Sequence, residues 1–128
     1  MAGSPLGIVL SYLRKKQRFS LRELADFANT DHAYIYRMET GQKDSPSEEV
    51  INRLIKVLKP DEREKEILHY LSQHPDTNPD LVEYCLENPD VKFEEFASAA
   101  GFRFRGNVRP EPKVLIQRIR QVIGGEES

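Results

Sequence analysis

Several polar side chains between Asp31 and Lys43 can form hydrogen bonds with a nucleic acid. Arg37 carries a planar guanidinium, which can donate two hydrogen bonds to O6 and N7 of guanine, a pattern that no other base edge presents. Contact with a phosphate is the alternative, because more than half of the hydrogen bonds between proteins and DNA go to the backbone. His32 can donate to a base or a phosphate, or lie uncommitted at the surface. This chemistry requires a helix that holds both side chains outward.

Other chemistries find no support in the sequence. It contains no glycine-rich phosphate loop and no nucleophile elbow, and His69, His74 and Cys85 lack a familiar metal-ligand spacing. Cys85 falls on an apolar helical stretch, residues 81–86, where a thiol is usually buried and inert. We therefore expect a protein that is not an enzyme and that holds no metal and no cofactor.

Charge divides the chain into three parts. Residues 1–59 carry ten Lys and Arg against seven Asp and Glu, residues 60–100 carry three against eleven, and residues 101–128 carry six against three. The phosphate field would confine DNA binding to the basic head and, as a second option, the basic tail. The single cysteine favours a reducing compartment, and no apolar run approaches the roughly 20 residues that cross a bilayer. We expect a cytoplasmic, nucleoid-associated protein without membrane contact.

Helix signals dominate the first sixty residues. A first helix has Ile8, Val9, Tyr12 and Leu13 at helical spacing. The signals that start or end the following helices are the capping box of Ser20 with Glu23, a left-handed position at Asn29, a cap at Asp31 and a terminator at Gly41. Residues 45–48 form another capping box with Pro46 at the first helical position, and Pro60 closes that helix. The sequence predicts four short helices and an all-α fold.

The second half also reads as helical. Acidic residues from Asp61 open a helix, and Asn-Pro-Asp occurs at residues 78–80 and again at 88–90. Each repeat is typical of a helix start, which predicts helices over residues 79–87 and 89–100. A last helix is expected from Pro110 to Ile123, ended by Gly124 and Gly125. We predict a DNA-binding domain over residues 1–60 and a small helical C-terminal region over residues 61–128.

Three runs in register give the first half a family resemblance. They are Ser20-Leu21-Arg22-Glu23-Leu24-Ala25, Asn29-Thr30-Asp31 and Tyr34-Ile35-Tyr36-Arg37-Met38-Glu39-Thr40-Gly41. This series, with Arg14 before it and Pro46 after it, resembles the Cro/phage-repressor (XRE) family of helix-turn-helix proteins over roughly residues 6–60. The resemblance implies a repressor-type fold that binds double-stranded DNA through its third helix.

The resemblance also implies residue roles. Arg14 and Glu39 match a pair that ties the first helix to the third, although Glu39 can alternatively be a solvated surface charge, while Ile35 and Met38 are expected in the core. The implied base-reading candidates are His32, Ala33, Tyr36 and Arg37. The implied contacts to the DNA backbone are Arg14, Lys15, Lys16, Arg18, Ser20, Leu21, Arg22, Thr40, Gln42 and Lys43.

Two residues depart from the family pattern. Leu21 stands where many relatives carry Gln, and leucine cannot make the hydrogen bonds of that Gln, although it can touch a thymine methyl. Asp44 lies in a loop where relatives often carry several cations, so it should weaken non-specific affinity. Both changes bear on affinity rather than on the binding mode.

The C-terminal region is the expected site of self-association. The last helix carries five apolar residues as dimerisation candidates: Leu115, Ile116, Ile119, Val122 and Ile123. Nearby arginines could meet the acidic 61–95 face of a second subunit. The alternative is that the apolar face packs on helices of its own chain.

Three functions remain open at this point. The first is a homodimeric transcriptional regulator, expected to be a repressor. The second is an antitoxin that uses the same DNA-binding head and neutralises a partner protein through its C-terminal region. The third is a protein-interaction adaptor that retains the fold without binding DNA.

Overall fold

The described residues fold into helices, as the sequence predicts. The computed structural model describes residues 4–42, 46–102 and 110–127, without the side chains of residues 124–127. These residues form eight helices and no strand. The helices are α1 (Pro5–Lys16), α2 (Leu21–Phe27), α3 (His32–Glu39), α4 (Glu48–Leu58), α5 (Glu62–Gln73), α6 (Pro79–Glu87), α7 (Phe93–Ala100) and α8 (Pro112–Glu127).

The chain divides into two compact units, residues 1–79 and residues 80–128. Helices α1 to α5 lie in the first unit, where α1 packs against both α3 and α5. The first unit thus extends beyond residue 60, although the assignment of DNA binding to residues 1–60 and of a separate role to residues 61–128 stays a prediction. In the second unit, α7 packs against α8.

The first three helices end in the same way. Arg18, Asn29 and Gly41 each adopt a positive φ, at 63°, 53° and 82°. The residue after each donates its N–H back to a carbonyl five residues earlier: Phe19 to Arg14, Thr30 to Ala25 and Gln42 to Arg37, at 3.0, 2.8 and 2.8 Å. This is the Schellman motif. The left-handed position predicted at Asn29 is confirmed, and only four residues join α1 to α2 and α2 to α3.

The helix starts follow local capping chemistry. Ser20 and Glu23 form the predicted capping box, and the Asp31 carboxylate accepts from the N–H of Ala33. The start predicted for α4 is wrong, because Ser47 is the N-cap and Pro46 precedes it rather than occupying the first helical position. Ser45 lies outside the described residues.

Three boundaries of the second unit also differ from the sequence prediction. α7 begins at Phe93 and not at residue 89, because the second Asn-Pro-Asp ends α6: the Asn88 amide donates to the Tyr84 carbonyl at 2.8 Å. Lys92 is the N-cap, and its N–H donates to the Glu95 carboxylate. α8 begins at Pro112 rather than at Pro110, and proline suits this position because the first N–H groups of a helix have no partner within the helix and proline has no N–H. The helix continues through Gly124 and Gly125 instead of ending there.

Candidate nucleic-acid interface

Helix α3 has one buried face and one outward face. Ile35 and Met38 have no exposed surface, which confirms that both belong to the core. Tyr36 lies on the other side and is half exposed, and the His32 side chain is 53% exposed. Ala33 and Arg37, one helical turn apart, are partly exposed. The four base-reading candidates therefore share the outward side of α3.

An ion pair holds α3 against α1. The Arg14 guanidinium donates to both carboxylate oxygens of Glu39, from Nε at 2.7 Å and from Nη2 at 3.0 Å. Its Nη1 donates to the Phe19 carbonyl at 2.8 Å. Hydrogen bonding to Glu39 raises the pKa of Arg14 above its ordinary value, so the guanidinium stays charged. The residue pairing implied by the resemblance is confirmed, and the Glu39 carboxylate is not a solvated surface charge.

A close backbone approach accompanies this ion pair. Gly7 of α1 is buried against the end of α3, and a β-carbon at position 7 would meet the Met38 carbonyl and lie 2.9 Å from the Glu39 Cα. The Ser4 hydroxyl donates to the same Met38 carbonyl at 3.3 Å. Sequence reasoning missed Gly7, because a single glycine inside a helix does not indicate which helix it approaches.

The turn between α2 and α3 is anchored from α4. Arg53 donates from Nη1 to the Asn29 carbonyl at 2.9 Å. Asn29 is the left-handed residue of that turn, so this hydrogen bond ties the turn to the core of the unit. No sequence signal singled out Arg53, since its partner lies 24 residues away.

The candidates for DNA-backbone contact fall into three groups. Lys15, Arg18, Ser20, Arg22 and Gln42 are exposed, and Leu21 is half-buried at the start of α2. The Ser20 hydroxyl also accepts from the Glu23 N–H at 3.0 Å. Three others have intrachain partners: Arg14 is bound to Glu39, Lys16 pairs with Glu64 at 3.2 Å, and the Thr40 hydroxyl donates to the Tyr36 carbonyl at 2.9 Å. Lys43 and the neighbouring Asp44 lie outside the described residues.

Phe27 is a further feature that the sequence did not indicate. It occurs in an apolar run with Leu24 and Ala25, yet it is 60% exposed while those two are buried. Its ring lies 5.2 Å from that of Phe19. The helical period of α2 explains the exposure, because Leu24 and Ala28 define the inward side.

The dimerisation candidates of α8 divide between buried and exposed positions. Leu115, Ile116 and Ile119 are buried within the chain itself, whereas Val122 and Ile123 are exposed. Arg120 is also engaged within the second unit, since it donates to Glu95 at 2.9 Å and to Asp90 at 3.2 Å. Three of the arginines near α8 that were expected to meet a second subunit lie outside the described residues, namely Arg103, Arg105 and Arg109. Most of the predicted apolar face thus packs in its own chain.

Comparison with known proteins agrees with this geometry. Residues 5–67 match the family model of a helix-turn-helix domain, which reaches from α1 into α5. A search of curated proteins found no match to the chain. No helix in the described part of the chain is long and apolar enough to cross a membrane. The protein therefore has an all-α fold with an N-terminal helix-turn-helix domain, and this class supports DNA binding.

Proposed function

We propose that the protein is a sequence-specific regulator of the Cro/phage-repressor type, which places the outward side of α3 in the major groove of double-stranded DNA. The burial of Ile35 and Met38 carries this proposal, because it turns the opposite side of α3 outward with Arg37 on it. The ion pair between Arg14 and Glu39 supports it by fixing the direction in which α3 points.

Arg37 is the base reader in this proposal. No hydrogen bond or ion pair occupies its guanidinium among the described residues, in contrast to Arg14 and Arg53. An unoccupied guanidinium on an outward helical face can form the paired hydrogen bonds to guanine. We expect the phosphate contacts to come from exposed groups near the start of α2, chiefly Ser20 and Arg22.

We further propose that the protein acts as a homodimer and as a repressor. A single small head buries little DNA surface, whereas two heads read half-sites about 34 Å apart. Val122 and Ile123 remain exposed on α8 whereas Leu115, Ile116 and Ile119 are buried, and these two exposed residues form the surface that we assign to the second subunit. In this proposal the dimer represses transcription by occupying a promoter.

Selection from a pool of random duplexes tests this function. We expect enrichment of a motif that contains a guanine in each of two inverted half-sites, separated by about one helical turn. A single half-site would contradict the dimer but not DNA reading. Failure to enrich any motif, with folded protein, would contradict sequence-specific binding.

A further inference from the structure

We propose that the interface also reads the C5-methyl group of a pyrimidine, that of thymine or of 5-methylcytosine, close to the guanine bound by Arg37. This inference rests on the proposed function and names a second chemical group in the sequence that α3 recognises. It assigns the contact to an apolar notch formed by Ala33, the ring of Tyr36 and the aliphatic stem of Arg37.

Ala33 offers only a methyl group to a ligand. It is the second residue of α3, and its N–H is already bonded to the Asp31 carboxylate at 3.3 Å. Its side chain can neither donate nor accept a hydrogen bond, so it cannot read the polar atoms of a base edge. An alanine methyl on a base-facing side instead packs against the methyl group that thymine carries in the major groove.

The neighbours of Ala33 complete an apolar surface. Tyr36 and Arg37 follow it by three and four residues, and side chains at these spacings are adjacent on a helix, with about 5–6 Å between their β-carbons. Tyr36 is half exposed, so its ring is accessible from the outward side. Arg37 contributes methylene groups along its stem and places its charge beyond them.

The position of the methyl group follows from the helix geometry. Ala33 and Arg37 are one turn apart, which is about 5.4 Å along the axis of α3. Successive base pairs are about 3.4 Å apart. A helix lying in the groove therefore places the methyl group of the pyrimidine one or two base pairs from the guanine.

Replacing single thymines by uracil tests the inference with the unaltered protein. Uracil differs from thymine only in lacking the C5-methyl group. In the selected duplex, we expect one thymine within two base pairs of the guanine at which uracil weakens binding about fourfold, the factor for burial of one methyl-sized group. If the source is 5-methylcytosine, methylation of a cytosine at that position strengthens binding by a similar factor.

Two variants locate the contact. Ala33→Gly removes the methyl group of the protein that faces the pyrimidine, so most of the difference between the thymine and uracil duplexes should disappear. Tyr36→Phe keeps the ring and removes only the hydroxyl, so the fourfold difference should persist. Circular dichroism establishes that both variants are folded.

The outcomes separate this inference from the proposed function. If the protein selects a motif but its affinity changes neither with uracil in place of thymine nor with methylation of a cytosine at any position, the methyl contact alone is overturned. A methyl effect that persists in Ala33→Gly also overturns it, because the contact then lies elsewhere. Absence of any sequence preference overturns both this inference and the proposed function.

Discussion

The candidate interface depends on a few residues whose exposure and side-chain hydrogen bonding differ sharply. Arg14 and Arg37 both lie in the first unit. All three guanidinium nitrogens of Arg14 donate intrachain hydrogen bonds, whereas the guanidinium of Arg37 forms no such bond among the described residues. Arg14 therefore holds α1 against α3, and Arg37 is the residue to which we assign contact with a base. The sequence suggested both roles only through the family resemblance, since an arginine looks alike in either position.

Substituting Arg37 tests its assignment as the base reader. We expect Arg37→Ala to weaken binding to the selected duplex by about 1–3 kcal/mol and to abolish the preference at one base pair. Fluorescence anisotropy with a set of single-base duplex variants measures both effects. Arg22→Ala is the matched control, because it removes an exposed cation from α2 and should weaken all duplexes alike. Equal weakening on every sequence by Arg37→Ala would make that residue a phosphate contact.

The helices were the most predictable part of the fold, because their starts and ends depend on nearby residues. The capping box of Ser20 and Glu23 and the left-handed Asn29 involve partners within five positions, so the sequence alone located α2. The second Asn-Pro-Asp misled the prediction, since Asn88 closes the preceding helix instead of opening the next one. Capping residues can serve either end of a helix, and only the surrounding packing decides which.

The contacts between helices were largely beyond sequence reasoning. Lys16 reaches Glu64 on α5, and Gln17 donates to the Leu58 carbonyl at the end of α4 at 2.8 Å. These partners are 48 and 41 residues apart. No local spacing indicates such pairs, so only the α1–α3 pair, known from the resemblance, was predicted.

The approach of α1 to α3 should depend on the absence of a side chain at Gly7. Alanine stabilises a helix by up to about 1 kcal/mol relative to glycine, but a β-carbon at position 7 would collide with the backbone of α3. We expect Gly7→Ala to lower the free energy of unfolding by about 1–3 kcal/mol, measured by urea denaturation. Gly101→Ala is the control, because its β-carbon would lie 3.6 Å from the Ala97 carbonyl, an ordinary contact. Equal stability of the two variants would contradict the close approach.

The ion pair between Glu95 of α7 and Arg120 of α8 should make the free energy of unfolding depend on pH. Burial of Glu95 opposes its ionisation, but hydrogen bonds from Arg120 and from the Lys92 N–H outweigh burial and hold the pKa of Glu95 below its ordinary value of 4.5. Because the folded pKa is lowered, this stabilisation is complete well above pH 4.5 and disappears as the pH falls through the folded pKa.

Glu95→Gln tests this linkage. We expect the variant to be about 1–3 kcal/mol less stable than the natural chain at pH 7, with the difference shrinking below pH 4.5. Thermal denaturation followed by circular dichroism across this range measures it. Glu94→Gln, at the exposed neighbouring position, should show no such pH-dependent difference. A difference that stays constant down to pH 3 would contradict the role of the Glu95 carboxylate.

The whole molecule separates its charges along the chain. The basic head contains α3, whereas residues 60–100 carry eight more acidic than basic residues. DNA repels this acidic stretch, so binding through the head is favoured. The second unit is then available for self-association, as in the proposed dimer.

Charging the exposed end of α8 tests the dimer. We expect Val122→Asp to convert a dimer into a monomer in sedimentation at micromolar concentration, because it places a carboxylate in the apolar surface assigned to the second subunit. Gln121→Asp, at the exposed neighbouring position, should leave the dimer intact. A natural chain that is already monomeric at this concentration and binds DNA tightly would contradict the proposed assembly.

Binding of DNA by the outward side of α3 can be followed residue by residue if the isotope-labelled protein is titrated with the selected duplex and the backbone amide signals are recorded by NMR. We expect the largest shifts at the start of α2 and along the outward side of α3, centred on Ala33 and Arg37, with small shifts along the buried face of α5. A scrambled duplex should produce weaker shifts that vanish as salt is raised. Shifts concentrated on α8, or none at all with the selected duplex, would contradict the account.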